Sequence, residues 1–245
     1  MPELGFLLLL ASAFIAGIFD ATVGGGGFVL IPHMAFSGIP IQMAIGTSRL
    51  IFLMDSLSAL VGHALRRNID YKIGTAYSIA AMAAAPVGAY VTATSNPENI
   101  SRLFGLFMLV MLAVIARKPE FGMEDKRSIK LIPSLACGLV IGFMIGLLGG
   151  GVGVLIILAL VFVSGMPMLL ASGTSQLIVW TANIITLLAY YSSNLVDINL
   201  GLSLGASALV GAQFGVHIAH KVGNKGLRIA LILLTLASGL KLVLG

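Results

Sequence analysis

Apolar residues in this chain fall in long, nearly unbroken runs. They occupy roughly residues 5–22, 28–38, 43–65, 73–94 and 99–116, then 131–148, 152–165, 168–190, 200–219 and 229–244. Most of these runs approach the roughly 20 residues that a helix needs to cross the hydrocarbon of a bilayer, so they predict membrane-spanning helices. The runs at 28–38 and 152–165 are too short at about 1.5 Å per residue to span untilted. They are expected to be broken or half helices. The polar stretch from Arg117 to Lys130 separates the two series and reads as a linker.

The second series copies the first. Ala44-Ile45-Gly46-Thr47-Ser48 recurs as Ala171-Ser172-Gly173-Thr174-Ser175, an offset of 127. Gly38, Pro40, Asp70, Gly74 and Gly88 meet Gly165, Pro167, Asp197, Gly201 and Gly215 at the same offset. Earlier in each half, Ala13, Gly17, Ala21 and Gly25 meet Gly138, Gly142, Gly146 and Gly150 at an offset of 125. Spacing of four aligns each set along one helix face, a ridge that lets helices approach closely in lipid. Such ridges serve contacts within a chain and between chains alike, which leaves the oligomeric state open.

Loop charge then orients the halves, because Lys and Arg in short loops mark the cytoplasmic side. Arg66, Arg67 and Lys72 crowd one first-half loop, whereas its counterpart from Tyr191 to Asn199 has no basic residue. The next pair of loops reverses the asymmetry: Thr94 to Ser101 is free of basic residues, and the counterpart carries Lys221, Lys225 and Arg228. With the linker on the cytoplasmic side, an odd number of crossings per half fits every loop. The expected fold is an all-α polytopic membrane protein of two inverted repeats, each of about five apolar segments. Its expected divisions are residues 1–116, a cytoplasmic linker 117–130 and residues 131–245. Inverted repeats with short, glycine-interrupted segments at matching places point to a transport site near the midplane worked by alternating access.

Composition agrees. Hydrophobic residues make up 58% of the 245 positions, charged residues 9%, and the mean hydropathy is +1.07. The net charge of +5 sits in short loops, so it is read by membrane orientation and not by nucleic acid. Cys137 is the single cysteine, which excludes an internal disulfide or a cysteine metal site. The N-terminal Met1-Pro2-Glu3-Leu4 has no basic signal-like region and is expected to be retained. No HExxH or GxSxG occurs, no nucleotide-binding loop follows the glycines, and neither catalysis nor a cofactor or metal is expected.

The candidate chemistry is a small-anion site. Gly24, Gly25, Gly26 and Gly27 pair with Gly149, Gly150 and Gly151, each run standing between a long and a short apolar segment. Glycine runs can present consecutive backbone N–H groups, and the following helix adds a positive dipole end. Thr47, Ser48 and Arg49 pair with Thr174, Ser175 and Gln176 just inside the next helix. Their hydroxyls could donate to an anion or cap the helix. Ionisable groups inside apolar runs are few: Asp20, His33, Arg49 and Asp55 in the first half, and no Asp, Glu, Lys, Arg or His between Leu131 and Val196. Arg49 offers paired donors to an oxyanion, or an internal ion pair with Asp20 or Asp55. Asp20, His33 and Asp55 are the candidates for carrying a proton.

The glycine run, then Gly-x-Pro, then Ala-x-Gly-Thr-Ser, then His63-Ala64-Leu65-Arg66-Arg67-Asn68-Ile69-Asp70, repeated more loosely in the second half, resembles the TauE/SafE sulfite exporter family. The resemblance covers nearly the whole chain. It implies a multi-pass carrier in a prokaryotic cytoplasmic membrane that exports sulfite, a sulfonate or another sulfur-containing anion. A passive anion channel, an importer of another small anion, and a non-transporting membrane scaffold remain the alternatives to that expectation.

Overall fold

The computed structural model describes residues 3–100, 102–103, 106–107, 110, 125–128 and 131–244, with only the backbone of residue 228 and residues 230–244. The described residues are helical apart from short connections. The helices are α1 (Glu3–Val23), α2 (Gly27–Phe36), α3 (Ile41–Leu65), α4 (Tyr71–Thr94), α5 (Leu131–Leu148), α6 (Val152–Phe162), α7 (Met168–Ser192) and α8 (Ile198–Leu244). Among them, six stretches are long and apolar enough to cross a membrane, while α2 and α6, of 10 and 11 residues, are not. The short runs at 28–38 and 152–165 are therefore short helices, as their lengths require. The run read at 99–116 lies largely outside the described residues. At Gly223 the backbone leaves the helical region (φ 61°, ψ −165°), which breaks α8 into two pieces.

Local signals set the boundaries. Pro40 and Pro167 stand in extended geometry immediately before α3 and α7, where a missing N–H costs nothing. Asp70 and Asp197 cap the next helices, their carboxylates accepting from Ile73 N at 3.1 Å and Leu200 N at 3.0 Å. α3 and α7 both end in a Schellman motif: Asn68 N donates to His63 O and Arg67 N to Ala64 O, as Leu195 N does to Tyr190 O and Asn194 N to Tyr191 O. Arg67 and Asn194 take the left-handed position there, at φ 53° and 56°.

Small residues decide which helices meet. On α5, Gly142 and Gly146 lie against the carbonyls of Ala81 and Ala85 in α4, and Gly88 of α4 lies against Phe143. On the other side, Gly17 of α1 lies against Ala208 of α8, while Gly211 and Gly215 lie against Phe14 and Ile18. Side chains at these glycines would collide with backbone, so the ridges are packing faces between segments far apart in sequence. Rising residue numbers face rising residue numbers in both pairs, which makes each pair parallel.

The linker residues 125–128 dock on the α6–α7 turn, with Lys126 N donating to Gly165 O at 2.9 Å and Ser128 N to Ser164 O at 3.1 Å. Arg127 holds the Asp125 carboxylate at 2.9 Å and reaches Asp70 at 3.1 Å. These donors hold the Asp125 carboxyl below the ordinary carboxylate range.

Candidate functional site

The two glycine breaks meet each other at the centre of the molecule. Gly24 takes φ 72°, and a Cβ there would strike Gly153; a Cβ on Gly27 would strike Gly150, and one on Gly150 would strike Gly27 in return. Backbone approaches backbone this closely only because neither side carries a side chain. After Gly24 the chain turns back on itself, with Gly26 lying against the Ala16 carbonyl and the Asp20 side chain. The α6 break opens with Gly149 and Gly151 at φ 82° and 76°. The amides of Gly151, Val152 and Gly153 precede the first α6 bond back to the loop, Val154 N to Gly151 O at 3.3 Å, and are first-turn donors at the positive end of that helix.

Arg49 is among the largest fully buried side chains of the described residues and stands beside this break. Its guanidinium donates from Nη1 to Ile145 O at 3.3 Å and to Asn183 Oδ1 at 3.0 Å, from Nη2 to Ser48 Oγ at 3.1 Å, and from Nε to Ile45 O at 3.3 Å. It lies 5.8 Å from the centre of the Phe52 ring, within cation–π range. Among the described residues no carboxylate comes within ion-pairing distance of it. A buried cation whose partners are all neutral keeps its charge available to a ligand.

A cavity of about 20 Å³ adjoins the guanidinium, bounded by Asp20, Arg49, Phe52, Gly149–Gly153 and Asn183 together with Ile145 and Val179. That is room for about one water. An oxyanion needs more room than that.

The other expected site residues fall as follows. Gly24 and Gly27 lie against Gly153 and Gly150 of the cavity wall, Gly26 lies against Asp20, and Gly25 N donates to Phe19 O at 3.4 Å. Thr47 and Thr174 are buried and spent on the opposite half: Asp197 N donates to Thr47 Oγ1 and Asp70 N to Thr174 Oγ1, each at 3.0 Å. Ser48 and Ser175 donate to the carbonyls three residues back, Ile45 O and Ser172 O, both at 2.7 Å. Gln176 Nε2 donates to the Asp20 carbonyl at 2.8 Å and leaves its Oε1 unpaired. Asp55 is 1% exposed with neither carboxylate oxygen hydrogen-bonded, and it does not line the cavity. His33 is half-buried on α2, also away from the cavity. Asn183 is the residue that reading the sequence missed. Its signal was present: an amide inside the run 168–190, seven residues after Gln176 and 127 residues after Ser56. Its Nδ2 is buried with no acceptor.

A polytopic helical bundle with paired breaks at its centre and, beside them, a buried arginine that forms no ion pair among the described residues has the architecture of a membrane transporter. Residues 9–242 match the family described as sulfite exporter TauE/SafE. The chain is 30% identical over 250 residues to the probable membrane transporter protein ORF9 of a Sinorhizobium species, covering 99% of this chain and 95% of that one. It is 28% identical to the probable membrane transporter protein YunE of Bacillus subtilis, over 94% and 96% of the two chains. It is likewise 28% identical to the probable membrane transporter protein YfcA of Escherichia coli, over 94% and 87%. No solved structure matches it significantly. The chain belongs to the TauE/SafE sulfite exporter family and is a multi-pass membrane transporter.

Proposed function

We propose that this chain is a secondary carrier for a small sulfur oxyanion or organosulfonate, exporting it across a prokaryotic cytoplasmic membrane by alternating access. The observation that carries the reading is Arg49: fully buried, paired only with neutral acceptors, and set against the glycine break that begins α6. The anion would take donors from Arg49, from Asn183 Nδ2 and from the Gly151–Gly153 amides, with Gly149 and Gly150 allowing the close approach.

Residues 1–116 and 131–245 act as two inverted repeats joined by the linker 117–130. Several contacts support that relation by their equivalence. Thr47 bonds Asp197 as Thr174 bonds Asp70, and Arg49 reaches the carbonyl of Ile145 as Gln176 reaches that of Asp20. The centre is nevertheless one-sided, since the second half supplies an amide where the first supplies a guanidinium. The water-sized cavity then corresponds to an occluded state, and transport opens one side of it at a time.

The test is sulfite flux in proteoliposomes with the parent chain and with Arg49→Gln. Saturable flux in the parent and its loss in a folded variant is the expected result. Undiminished flux in Arg49→Gln overturns the assignment of Arg49, and a folded parent that moves no sulfur anion overturns the substrate.

A further inference from the structure

We propose that Asp55 binds the proton that moves together with the anion, and that this proton exchanges with water at the Arg66 end along the seam between α1, α3 and α8. The inference rests on the carrier reading above and adds the coupling ion, its site and its route.

Asp55 lies six residues beyond Arg49 on α3, is 1% exposed, and has no hydrogen-bond donor on either oxygen. A carboxylate so placed is costly to keep ionised, because nothing replaces the water it gave up. Around it, α1 contributes Asp20, α3 itself contributes Arg49, α7 contributes Tyr190 beside Arg49, and α8 contributes His220, its other histidine, His217, lying on the exposed face of that helix. With both acids ionised the buried centre carries one positive and two negative charges and repels an incoming anion. Adding a proton to one carboxylate removes that repulsion. Of the two acids, Asp20 borders the cavity, whereas Asp55 stands away from it, is buried more deeply and has no hydrogen-bond partner on either oxygen, so the proton belongs on Asp55. Proton and monoanion then bind cooperatively and cross as a neutral pair, with no bond formed to the anion itself, and export of the pair is driven by the anion's own outward gradient.

The route follows from α3. Asp55, Ala59 and His63 recur at intervals of four and share one face, about 12 Å from first to last. Ala59 joins Ala21, Ala212 and Val216 in a small apolar cluster separate from the main core, a plug of short side chains between α1, α3 and α8. Beyond it stand His63 and His220, ring centres 5.3 Å apart. His63 is engaged at both nitrogens: Asn68 Nδ2, which also donates to Leu169 O, lies 3.0 Å from Nδ1, so Nε2 carries the hydrogen given to Ala21 O at 3.2 Å. His220 Nε2 is buried and unpartnered, which makes His220 the group able to pass a proton inward.

Infrared difference spectra of the purified full chain in bilayers, with and without methanesulfonate, read the site without requiring flux. A protonated-carboxyl band that is strengthened by the anion, lost in Asp55→Asn, displaced in Asp55→Glu and kept in Asp20→Asn is the expected result. A parent without that band, or a band that persists in Asp55→Asn, overturns the proposal. In proteoliposomes, a gradient of about one pH unit should sustain about tenfold accumulation of methanesulfonate or sulfite at one proton per anion. In Asp55→Asn that accumulation falls to the level without protein, while exchange of preloaded anion becomes insensitive to pH. His220→Phe should slow the proton-driven phase and leave the infrared band in place; an unslowed phase overturns the route. A parent that moves neither anion overturns the carrier reading itself, whereas a transporting parent whose Asp55→Asn variant is still driven by the gradient overturns this inference alone.

Discussion

Removing either buried threonine hydroxyl should tip the molecule toward one of two opposite openings. Thr47 and Thr174 are fully buried, and each accepts a hydrogen bond of 3.0 Å from the amide of a helix-capping aspartate in the other half, Asp197 and Asp70. Thr47→Val and Thr174→Val keep the side-chain volume and delete the acceptor. Each leaves one part-buried N–H unpaired, at a cost of at most about 1–3 kcal/mol, but only while that end of the molecule stays closed. Opening hydrates the amide and recovers the cost. The ratio of open to closed at that end therefore rises by about 5-fold to about 150-fold. The assay uses Cys137→Ser as background and Val179→Cys as reporter on the cavity wall, labelled in oriented vesicles with an impermeant thiol reagent from one face at a time. Thr47→Val should speed labelling from the Asp197 face and Thr174→Val from the Asp70 face, with the double variant shifted less than either toward one side. Faster labelling from the same face in both variants, or no change in either, would refute the reasoning that these two bonds close opposite ends.

Gly27→Ala places a methyl into the Gly150 backbone, where no flexible side chain can give way, and should destabilise the folded protein by about 1–3 kcal/mol or more in detergent unfolding, whereas Gly5→Ala, with nothing nearby, should not. Asn183→Asp sets a carboxylate at the 3.0 Å contact with Arg49 Nη1, so an internal ion pair replaces the anion and sulfite flux should fall to background while Arg49 stays buried; flux equal to the parent would remove Asn183 from the site. Acidification should loosen the linker. The Asp125 carboxyl sits below its ordinary range through Arg127, so its small stabilising effect is present at neutral pH and lost as pH falls below that of a free aspartate. Hydrogen exchange at the Lys126 and Ser128 amides should accelerate there, and Arg127→Gln should bring the faster exchange to neutral pH.

What the sequence determined on its own were the features set by short-range rules. The apolar runs fix where helices lie, because backbone polar groups in lipid must bond within their own segment. The short lengths of 28–38 and 152–165 forbid a full span, and the prolines, aspartates and glycines at the ends of the helices set their limits. The copied Ala-x-Gly-Thr-Ser segments marked a buried centre, and the lone arginine in an apolar run marked its charge. What only the tertiary structure decided is which groups meet there. Arg49 touches Ile145 and Asn183, 96 and 134 residues further along, and Gly27 touches Gly150. The same residue pattern permits an ion pair with Asp20 or Asp55, and the fold makes neither among the described residues, spending Arg49 on neutral oxygens and leaving Asp55 without a donor. Threonines that read equally as anion donors or caps turn out to be acceptors for the far half. Spacing fixes which face of one helix a residue occupies. Which other face it meets depends on how glycine ridges from distant segments pack, and that energy exists only once both helices are in place.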